Sequence, residues 1–464
     1  MRLGDERVQV SKSPSKNRSY DAERVRGMIH SNKEIDYVIL LSLYQHRALT
    51  AEQLYRIGKF NLHINSLRNR LRTLADRKVL SVNSRAGIKS VPVLVYSLSL
   101  YGLRILIEDI LKVKEYVPQL DDYKEHYTLD DLKVRGQHEH FYEVQDWLSL
   151  YLSRQPESFH CEWRRYPIFD DDETISYRPD WMIFEKTEEW EEEKKVNPTS
   201  NPLLYPYFFR RTTFDDQFLK LMVSVECDRG TMSRTELVDK WEAYKKEGEE
   251  MTSKSLVMFY PKQVNGTTRH RNIRETMIYS FENELIDEKI HIFQGEKEST
   301  AQAVSLFVER EGNVLLNEPM TDRNSIRILV ENYRTENKKA AYLEVSDEVV
   351  EKLSLPLKPD HIVLIEGEED EIQIIFNGMT NWVNPIGKVR TIEKWIKEGG
   401  LSIFQQIKLI LLYPDNESFK RDITFVSKYL HYASYSEVSE LGYWGKVHRE
   451  ERKHNKVQWR EVLL

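Results

Sequence analysis

The chain has 464 residues, of which 40% are hydrophobic and 31% charged, and its formal net charge is −7. A chain of this length has room for about two to four domains, and its overall acidity does not by itself suggest a nucleic-acid partner. No apolar run approaches the length of a transmembrane helix, so no membrane association is expected. The two cysteines, Cys161 and Cys227, do not make a disulfide framework, which predicts a reducing, cytoplasmic location.

Residues 1–30 are rich in Ser, Lys and Arg and are predicted to form a flexible basic arm. The segment has no apolar core, so it is expected to be neither a signal peptide nor a membrane anchor. Two interpretations stay open for it: a tail without a role, or a supplementary contact to DNA.

Residues 31–120 have the element order of a winged helix-turn-helix domain. A helical pattern over Ile35–Tyr44 is followed by a helix after Thr50 and by a third helix over about Leu62–Lys78. The third helix has a predicted buried stripe, which consists of Ile64, Leu67, Leu71 and Leu74. Two strand-like runs follow, Val79–Ser84 and Val91–Leu98.

A local charge excess lies in this domain, where nine basic residues stand against the single acid Asp76 between Lys59 and Arg104. We expect the third helix to enter the major groove of double-stranded DNA. Its outer face carries Asn65, Arg68, Asn69, Arg70 and Arg72. Arg85 and Lys89, between the two strands, would contact phosphates. The alternative is a solvated helix whose charges serve solubility.

Residues 136–311 show strands that alternate with helices, which predicts a three-layer α/β core. The predicted strands are His160–Ile168, Tyr177–Phe184, Phe218–Cys227 and Ser255–Tyr260, and predicted helices start at Gly136, Thr231 and Arg269. A segment dense in Glu and Lys, 185–206, is predicted to be a loop-like insertion. His138 and His140 point about 200° apart on a helix and are not expected to share a metal ion.

Three acids are predicted at neighbouring strand ends of this core: Asp180, Glu226 and Asp228. Side chains alternate along a strand, so Glu226 and Asp228 should point one way and Cys227 the other. Carboxylate oxygens are the ligands that Mg²⁺ or Mn²⁺ prefers, and such an ion can promote attack on a phosphate. Alternatively, Asp180 caps a turn, and Glu226 and Asp228 form structural salt bridges with Arg229 or Lys240. Trp181, Trp241 and Tyr244 are predicted to be core residues.

The combined motifs resemble the replication-relaxation family of plasmids and mobile elements, which includes the MobC-type relaxases. The resemblance covers roughly Ile35–Met277 and rests on Arg178-Pro179-Asp180-Trp181, on Glu226-Cys227-Asp228-Arg229-Gly230-Thr231, and on the helix that holds Lys240 and Tyr244. It implies a nuclease domain similar to the PD-(D/E)XK superfamily, that is, a restriction-endonuclease-like α/β core that nicks DNA at an origin.

The resemblance implies that Asp180, Glu226 and Asp228 bind Mg²⁺ or Mn²⁺ and that Glu143, on the first helix, completes the set. Asp228 stands where the E-x-K half-motif of the superfamily has lysine, and Lys240 would supply that charge from the next helix. Arg229 would grip a phosphate. The expected protein is a metal-dependent DNA-nicking enzyme of mobilisation or replication initiation, with double-stranded DNA and other plasmid transfer or replication proteins as partners.

Two other functions stay open at this point. One is a non-catalytic replication initiator or transcriptional regulator with a degenerate nuclease fold, which the missing lysine of the half-motif favours. The other is a nuclease of a defence system. The expected fold class is mixed α/β: a winged helix-turn-helix domain, then a restriction-endonuclease-like α/β core, and then residues 312–464 as a separate α+β domain without a catalytic array.

Overall fold

The computed structural model describes residues 22–85, 92–111, 129–134, 138–155, 161–165, 179–186, 219–230, 232–248, 255–261, 268–309, 323–335, 339–366, 370–441, 447–453 and 456–462. The chain forms two compact units, one of residues 1–51 and 60–133 and one of residues 52–59 and 134–464. The mixed α/β prediction is confirmed. None of the described helices has both the length and the apolar character needed to cross a membrane.

The first unit combines helices with a three-stranded antiparallel sheet of order β1-β3-β2. Its helices are α1 (Ala22–Ser31), α2 (Lys33–His46), α4 (Ile64–Asp76) and α5 (Leu100–Ile105), and Leu106–Ile110 forms a π-helical turn. Its strands are β1 (Ala48–Thr50), β2 (Leu80–Arg85) and β3 (Val93–Leu98). The predicted flexible arm is therefore wrong for residues 22–30, which are helical, whereas residues 1–21 lie outside the described residues.

Helix α4 is held in this unit by one apolar stripe and one buried ion pair. Leu67, Leu71 and Leu74 are fully buried, as their helical spacing predicts, whereas Ile64, the first residue of the helix, is only half-buried. Arg70 donates through Nε to Asp36 on α2 at 2.7 Å, and its Nη2 pairs with the second carboxylate oxygen of Asp36. The placement of Arg70 on the outer, DNA-facing side is therefore wrong, because its charge is used inside the unit.

The second unit contains a five-stranded sheet of order β4-β5-β6-β7-β8. Its strands are β4 (Cys161–Arg165), β5 (Trp181–Lys186), β6 (Leu219–Cys227), β7 (Ser255–Tyr260) and β8 (His291–Glu296). Strands β4, β5 and β6 pair antiparallel, whereas β6, β7 and β8 run parallel, so the carboxyl ends of the last three meet at one edge. The predicted 185–206 insertion begins inside β5, and its residues from 187 onward lie outside the described residues.

Helices cover both faces of this sheet. Numbered in chain order after α3 (Ala51–Gly58) and α6 (Leu129–Leu132), they are α7 (His138–Arg154), α8 (Arg234–Gly248), α9 (Thr268–Ser280), α10 (Glu282–Ile286) and α11 (Lys297–Glu309). Trp147 on α7 packs with Cys227 and Phe259 on one face. Trp241 on α8 packs with Met258 and Ile273 on the other. Trp181 and Trp241 are buried, as predicted.

A second sheet of seven strands, in the order β15-β14-β13-β12-β11-β10-β9, belongs to the same unit. Its strands are β9 (Lys339–Leu343), β10 (His361–Glu366), β11 (Glu371–Asn377), β12 (Gln406–Tyr413), β13 (Leu430–Ser434), β14 (Val447–Lys453) and β15 (Lys456–Val462). Its helices are α12 (Arg323–Thr335), α13 (Asp347–Lys352), α14 (Asn384–Lys397), α15 (Asn416–Arg421) and α16 (Tyr435–Leu441).

The two sheets of this unit are joined through the backbone and through a common core. Strand β8 is hydrogen-bonded to residues 381–383, which follow β11: Gln294 N–H donates to the Asn381 carbonyl and Val383 N–H donates to the Ile292 carbonyl, both at 2.8 Å. One apolar cluster includes side chains of both sheets. The predicted boundary at residue 312 therefore falls inside a single compact unit.

Candidate functional site

The end of β6 sends successive side chains to opposite faces of the sheet. Val225 and Cys227 belong to the core on the α7 side, and Cys227 is a buried free thiol. Glu226 instead contacts α8, and Asp228, just after the strand, contacts α9. The expectation that Glu226 and Asp228 share a face, opposite Cys227, is confirmed.

Glu226 is a buried carboxylate with two partners on α8. Its side chain is 3% exposed; Lys240 Nζ lies 2.6 Å from Oε2, and the Tyr244 hydroxyl donates to Oε1 at 2.5 Å. Lys240 and Tyr244 are four residues apart, so one helix face presents both. Burial raises the pKa of Glu226 to about 7 against the opposing charge of Lys240, and the charge of Asp180 acts in the same direction as burial.

Asp180 lies immediately before β5, beside the end of β6. The register pairs Trp181 with Val225, which brings the preceding Asp180 next to the Glu226–Cys227 peptide. The Cys227 N–H donates to Asp180 Oδ2 at 2.9 Å, and His140 Nε2 lies 2.7 Å from Oδ1. Burial opposes a charge on His140, but the hydrogen bond and charge of Asp180 outweigh it and raise the pKa of the imidazole.

Asp228 is held by a cation from α9. Arg269 donates to both carboxylate oxygens, through Nε at 2.9 Å and through Nη2 at 2.7 Å. The Gly230 N–H donates to Oδ1 at 3.0 Å, which closes a tight turn at a residue with φ of +83°. A positive φ of this kind favours glycine, so the Asp-Arg-Gly sequence is suited to the turn.

Glu143 belongs to a different cluster, on the opposite side of the sheet from α8. Lys297, the first residue of α11, lies 2.9 Å from Glu143 and 3.3 Å from Asp146, both on α7. Gln53, on α3, also donates to Asp146. The acids of α7 therefore serve a salt-bridge cluster that joins α3, α7 and α11.

The four predicted metal ligands are thus divided among three places. Asp180 and Glu226 are electrostatically coupled at one strand end, and their hard oxygens are suited to Mg²⁺ or Mn²⁺. Asp228 and Glu143 are instead paired with Arg269 and Lys297. Within the described ranges, no three His, Cys, Asp or Glu side chains are grouped as the ligands of one metal ion would be.

The candidate DNA contacts on α4 share one exposed face. These residues are Asn65, Arg68, Asn69 and Arg72. Arg68 Nη1 donates to the Asn65 side chain at 2.9 Å, which orients both groups on that face. Arg85 is half-buried at the end of β2, Lys89 lies outside the described residues, and Arg229 is exposed after β6.

Two site residues were not predicted as such from the sequence, His140 and Arg269. In the sequence, His140 belongs to a histidine pair and Arg269 begins a predicted helix, and neither pattern indicates a site residue. The signal for His140 is its position one helical turn before Val144, a core residue of α7, which places the two side chains on the same face of the helix. Arg269 carried no comparable signal, because its partner lies 41 residues earlier in the chain.

Comparison with known proteins matches part of this chain to a family model. Residues 40–253 match the family model described as replication-relaxation. No curated protein and no solved structure matches the chain. The matched segment includes α4 and the strand ends that carry Asp180, Glu226 and Asp228.

Proposed function

We propose that this protein binds double-stranded DNA and nicks it in a metal-dependent reaction that serves the mobilisation or replication of a plasmid or mobile element. The observation that carries the proposal is the convergence of Asp180, Glu226 and Lys240 at two neighbouring strand ends. Two acids and a lysine are the residue types that act on a phosphodiester in PD-(D/E)XK-like nucleases. The match of residues 40–253 to the replication-relaxation model supports the same process.

Each residue of this group has a role in the proposed reaction. Asp180 and Glu226 would hold Mg²⁺ or Mn²⁺, which supplies charge stabilisation at the phosphate and a more acidic bound water. Lys240 stays protonated beside Glu226, because the charges of Glu226 and Asp180 outweigh burial and raise its pKa. Its ammonium therefore brings to the strand end the positive charge that the lysine of the E-x-K half-motif would supply, where this chain has Asp228. Tyr244 orients Glu226.

DNA recognition is assigned to the exposed face of α4. Arg68 and Arg72 lie one turn apart on this face, with Asn65 and Asn69 beside them. Arginine and asparagine are residue types that bind base edges and phosphates in the major groove. We propose that this face selects the origin and that the α/β core acts on the strand.

The nicking assay uses supercoiled DNA that carries the element's own origin, with Mg²⁺ or Mn²⁺, and measures open circles. Asp180→Asn and Glu226→Gln should abolish nicking and leave DNA binding intact. Asp239→Asn is the matched control, because Asp239 is exposed and directly precedes Lys240 on α8. Equal nicking by Asp180→Asn and the wild type would end the proposal.

A non-catalytic DNA-binding protein is the second candidate. The observation that favours it is the pairing of every described site acid with a cation or a hydrogen-bond donor, which is also what a structural network requires. Specific binding of origin DNA without open circles at any concentration of either metal would support an initiator or regulator instead.

A further inference from the structure

The carboxylate of Asp228 accepts three hydrogen bonds from protein donors. Its side chain is 2% exposed and receives two N–H groups from Arg269 and one from the Gly230 backbone. A buried carboxylate with three donors is stable without a metal ion. Asp228 therefore fixes the position of Arg269, the side chain that donates to both of its oxygens.

Arg269 is fixed in place but still reaches solvent. Its third nitrogen, Nη1, donates to the Met232 carbonyl at 2.8 Å, so all three guanidinium nitrogens are engaged. These bonds use three of its five N–H groups. The side chain nevertheless remains 33% exposed.

The position of Arg269 is next to the proposed reaction site. Asp228 follows Glu226 by two residues, and its backbone N–H donates to the Phe259 carbonyl at 3.0 Å. Asp228 therefore lies where β6 and β7 end. Exposed Arg229 is the next residue in the chain. A planar guanidinium that is already ordered binds a phosphate with little further loss of side-chain entropy.

We infer that Arg269 is a phosphate-binding residue of the α/β core and that Asp228 positions it. The ligand class is the DNA backbone phosphate, and the inference rests on the proposed function only in taking DNA as the ligand. It also explains why an aspartate can stand where the E-x-K half-motif has lysine. Asp228 holds the positive charge of Arg269 at the end of β6.

The test measures the affinity of the full chain for an origin duplex by fluorescence anisotropy over a range of KCl, with EDTA present. The slope of log K against log salt is negative, and loss of one phosphate contact reduces its magnitude by about 0.9. Arg269→Gln should therefore bind more weakly, with a slope whose magnitude is smaller by about 0.9. Arg269→Lys should keep the slope while losing affinity. Asp228→Asn should keep the slope because the charge of Arg269 remains.

The control is Arg421→Gln, which changes an exposed arginine of helix α15, beside the seven-stranded sheet. This variant should leave both the affinity and the salt slope unchanged. A slope for Arg269→Gln equal to that of the wild type, with a lower melting temperature, would reduce Arg269 to a structural role and overturn the inference. Because EDTA removes metal chemistry, failure to nick DNA in the earlier assay leaves this result standing. A wild type that binds no DNA would overturn both.

Discussion

Arg68 and Arg70 lie two positions apart on α4 and face different surroundings. Arg68 is exposed, whereas Arg70 pairs with Asp36, which is completely buried. Alanine at Arg68 or Arg72 should weaken DNA binding and reduce the magnitude of its negative salt slope by about 0.9. Alanine at Arg70 should leave the slope unchanged and cost about 3 kcal/mol of stability, because it leaves a buried acid unpaired.

Salt titrations of DNA binding and urea unfolding of the three variants measure both effects. Arg70→Ala is the matched comparison, since it removes the same side chain from the same helix. A salt slope that falls equally in all three variants would contradict the assignment of Arg70 to the interior.

Tyr244 illustrates how one residue serves both core and site. Its ring belongs to the apolar cluster with Trp241, and its hydroxyl donates to Glu226. Tyr244→Phe should cost about 1–3 kcal/mol, because a buried carboxylate oxygen loses a donor. Chemical denaturation measures the change, and Tyr279→Phe, at a side chain that is 77% exposed, is the control. Equal stability of the two variants would show that the bond contributes nothing.

At the scale of elements, β13 and β14 meet at a buried histidine. His431 Nδ1 lies 2.8 Å from the Tyr429 carbonyl, and its Nε2 lies 2.8 Å from Arg449 Nη2. This pattern suits a neutral ring that donates from Nδ1 and accepts at Nε2. Burial lowers the pKa of His431 to about 4, and the positive charges of Arg449 and Lys408 act in the same direction. Hydrogen bonds to the Tyr429 and Leu409 carbonyls act in the opposite direction but are weaker.

The pH dependence of stability follows from this lowered pKa. Between about pH 4 and pH 6.5 the unfolded state binds more protons at His431 than the folded state does, so stability rises with pH. The neutral His431 ring contributes on the order of 3 kcal/mol to stability above about pH 6.5. This contribution declines as the pH falls and is lost below about pH 4. Free energies of unfolding from pH 4 to pH 7 should rise more steeply for the wild type than for His431→Asn. Parallel curves would contradict the neutral ring.

The element pattern of the α/β core was largely predictable. Ser255–Tyr260 has the predicted bounds, and β6 begins one residue after its predicted start. Strand β5 was predicted to include Asp180, yet it begins at Trp181. Strand β8 and helix α11 were not predicted. Leu401–Leu412, which the sequence left ambiguous between helix and strand, contains β12 from Gln406 onward.

At the scale of the whole molecule, a buried ion pair joins the two sheets of the second unit. Arg274 on α9 and Asp422 beyond α15 are both fully buried, with Nη1 and Oδ1 2.9 Å apart. The Tyr413 hydroxyl and the Asn381 N–H also donate to Asp422. Arg274 reaches Gln294 at the end of β8 as well, so one network connects both sheets.

Asp422→Ala should lower the free energy of unfolding by about 3–5 kcal/mol, because it leaves the Arg274 charge buried and unpaired. Urea unfolding measures the loss. Asp347→Ala is the control, since its carboxylate is 97% exposed and its pair with Lys358 should contribute little. A loss for Asp422→Ala no larger than for the control would show that the network is not needed for stability.

The shared core also predicts the behaviour of a shortened chain. A protein that ends at residue 311 would expose apolar side chains in and around the five-stranded sheet, such as Ile292 on β8 and Leu285 on α10, which pack in the cluster common to both sheets of this unit. We expect this protein to lack a cooperative thermal transition. Near-ultraviolet circular dichroism and calorimetry provide the measurement, and a sharp transition would support an independent domain at 136–311.

The sequence alone determined the features that depend on local periodicity. These include the buried stripe of α4, the strand character of β6 and β7, and the alternation that separates Glu226 from Cys227, because side-chain direction repeats over two to four residues. Only the tertiary structure decided which charges pair. Arg70 with Asp36, Arg269 with Asp228 and Arg274 with Asp422 are 34, 41 and 148 residues apart. Such pairs depend on strand order and helix packing, which no local pattern encodes.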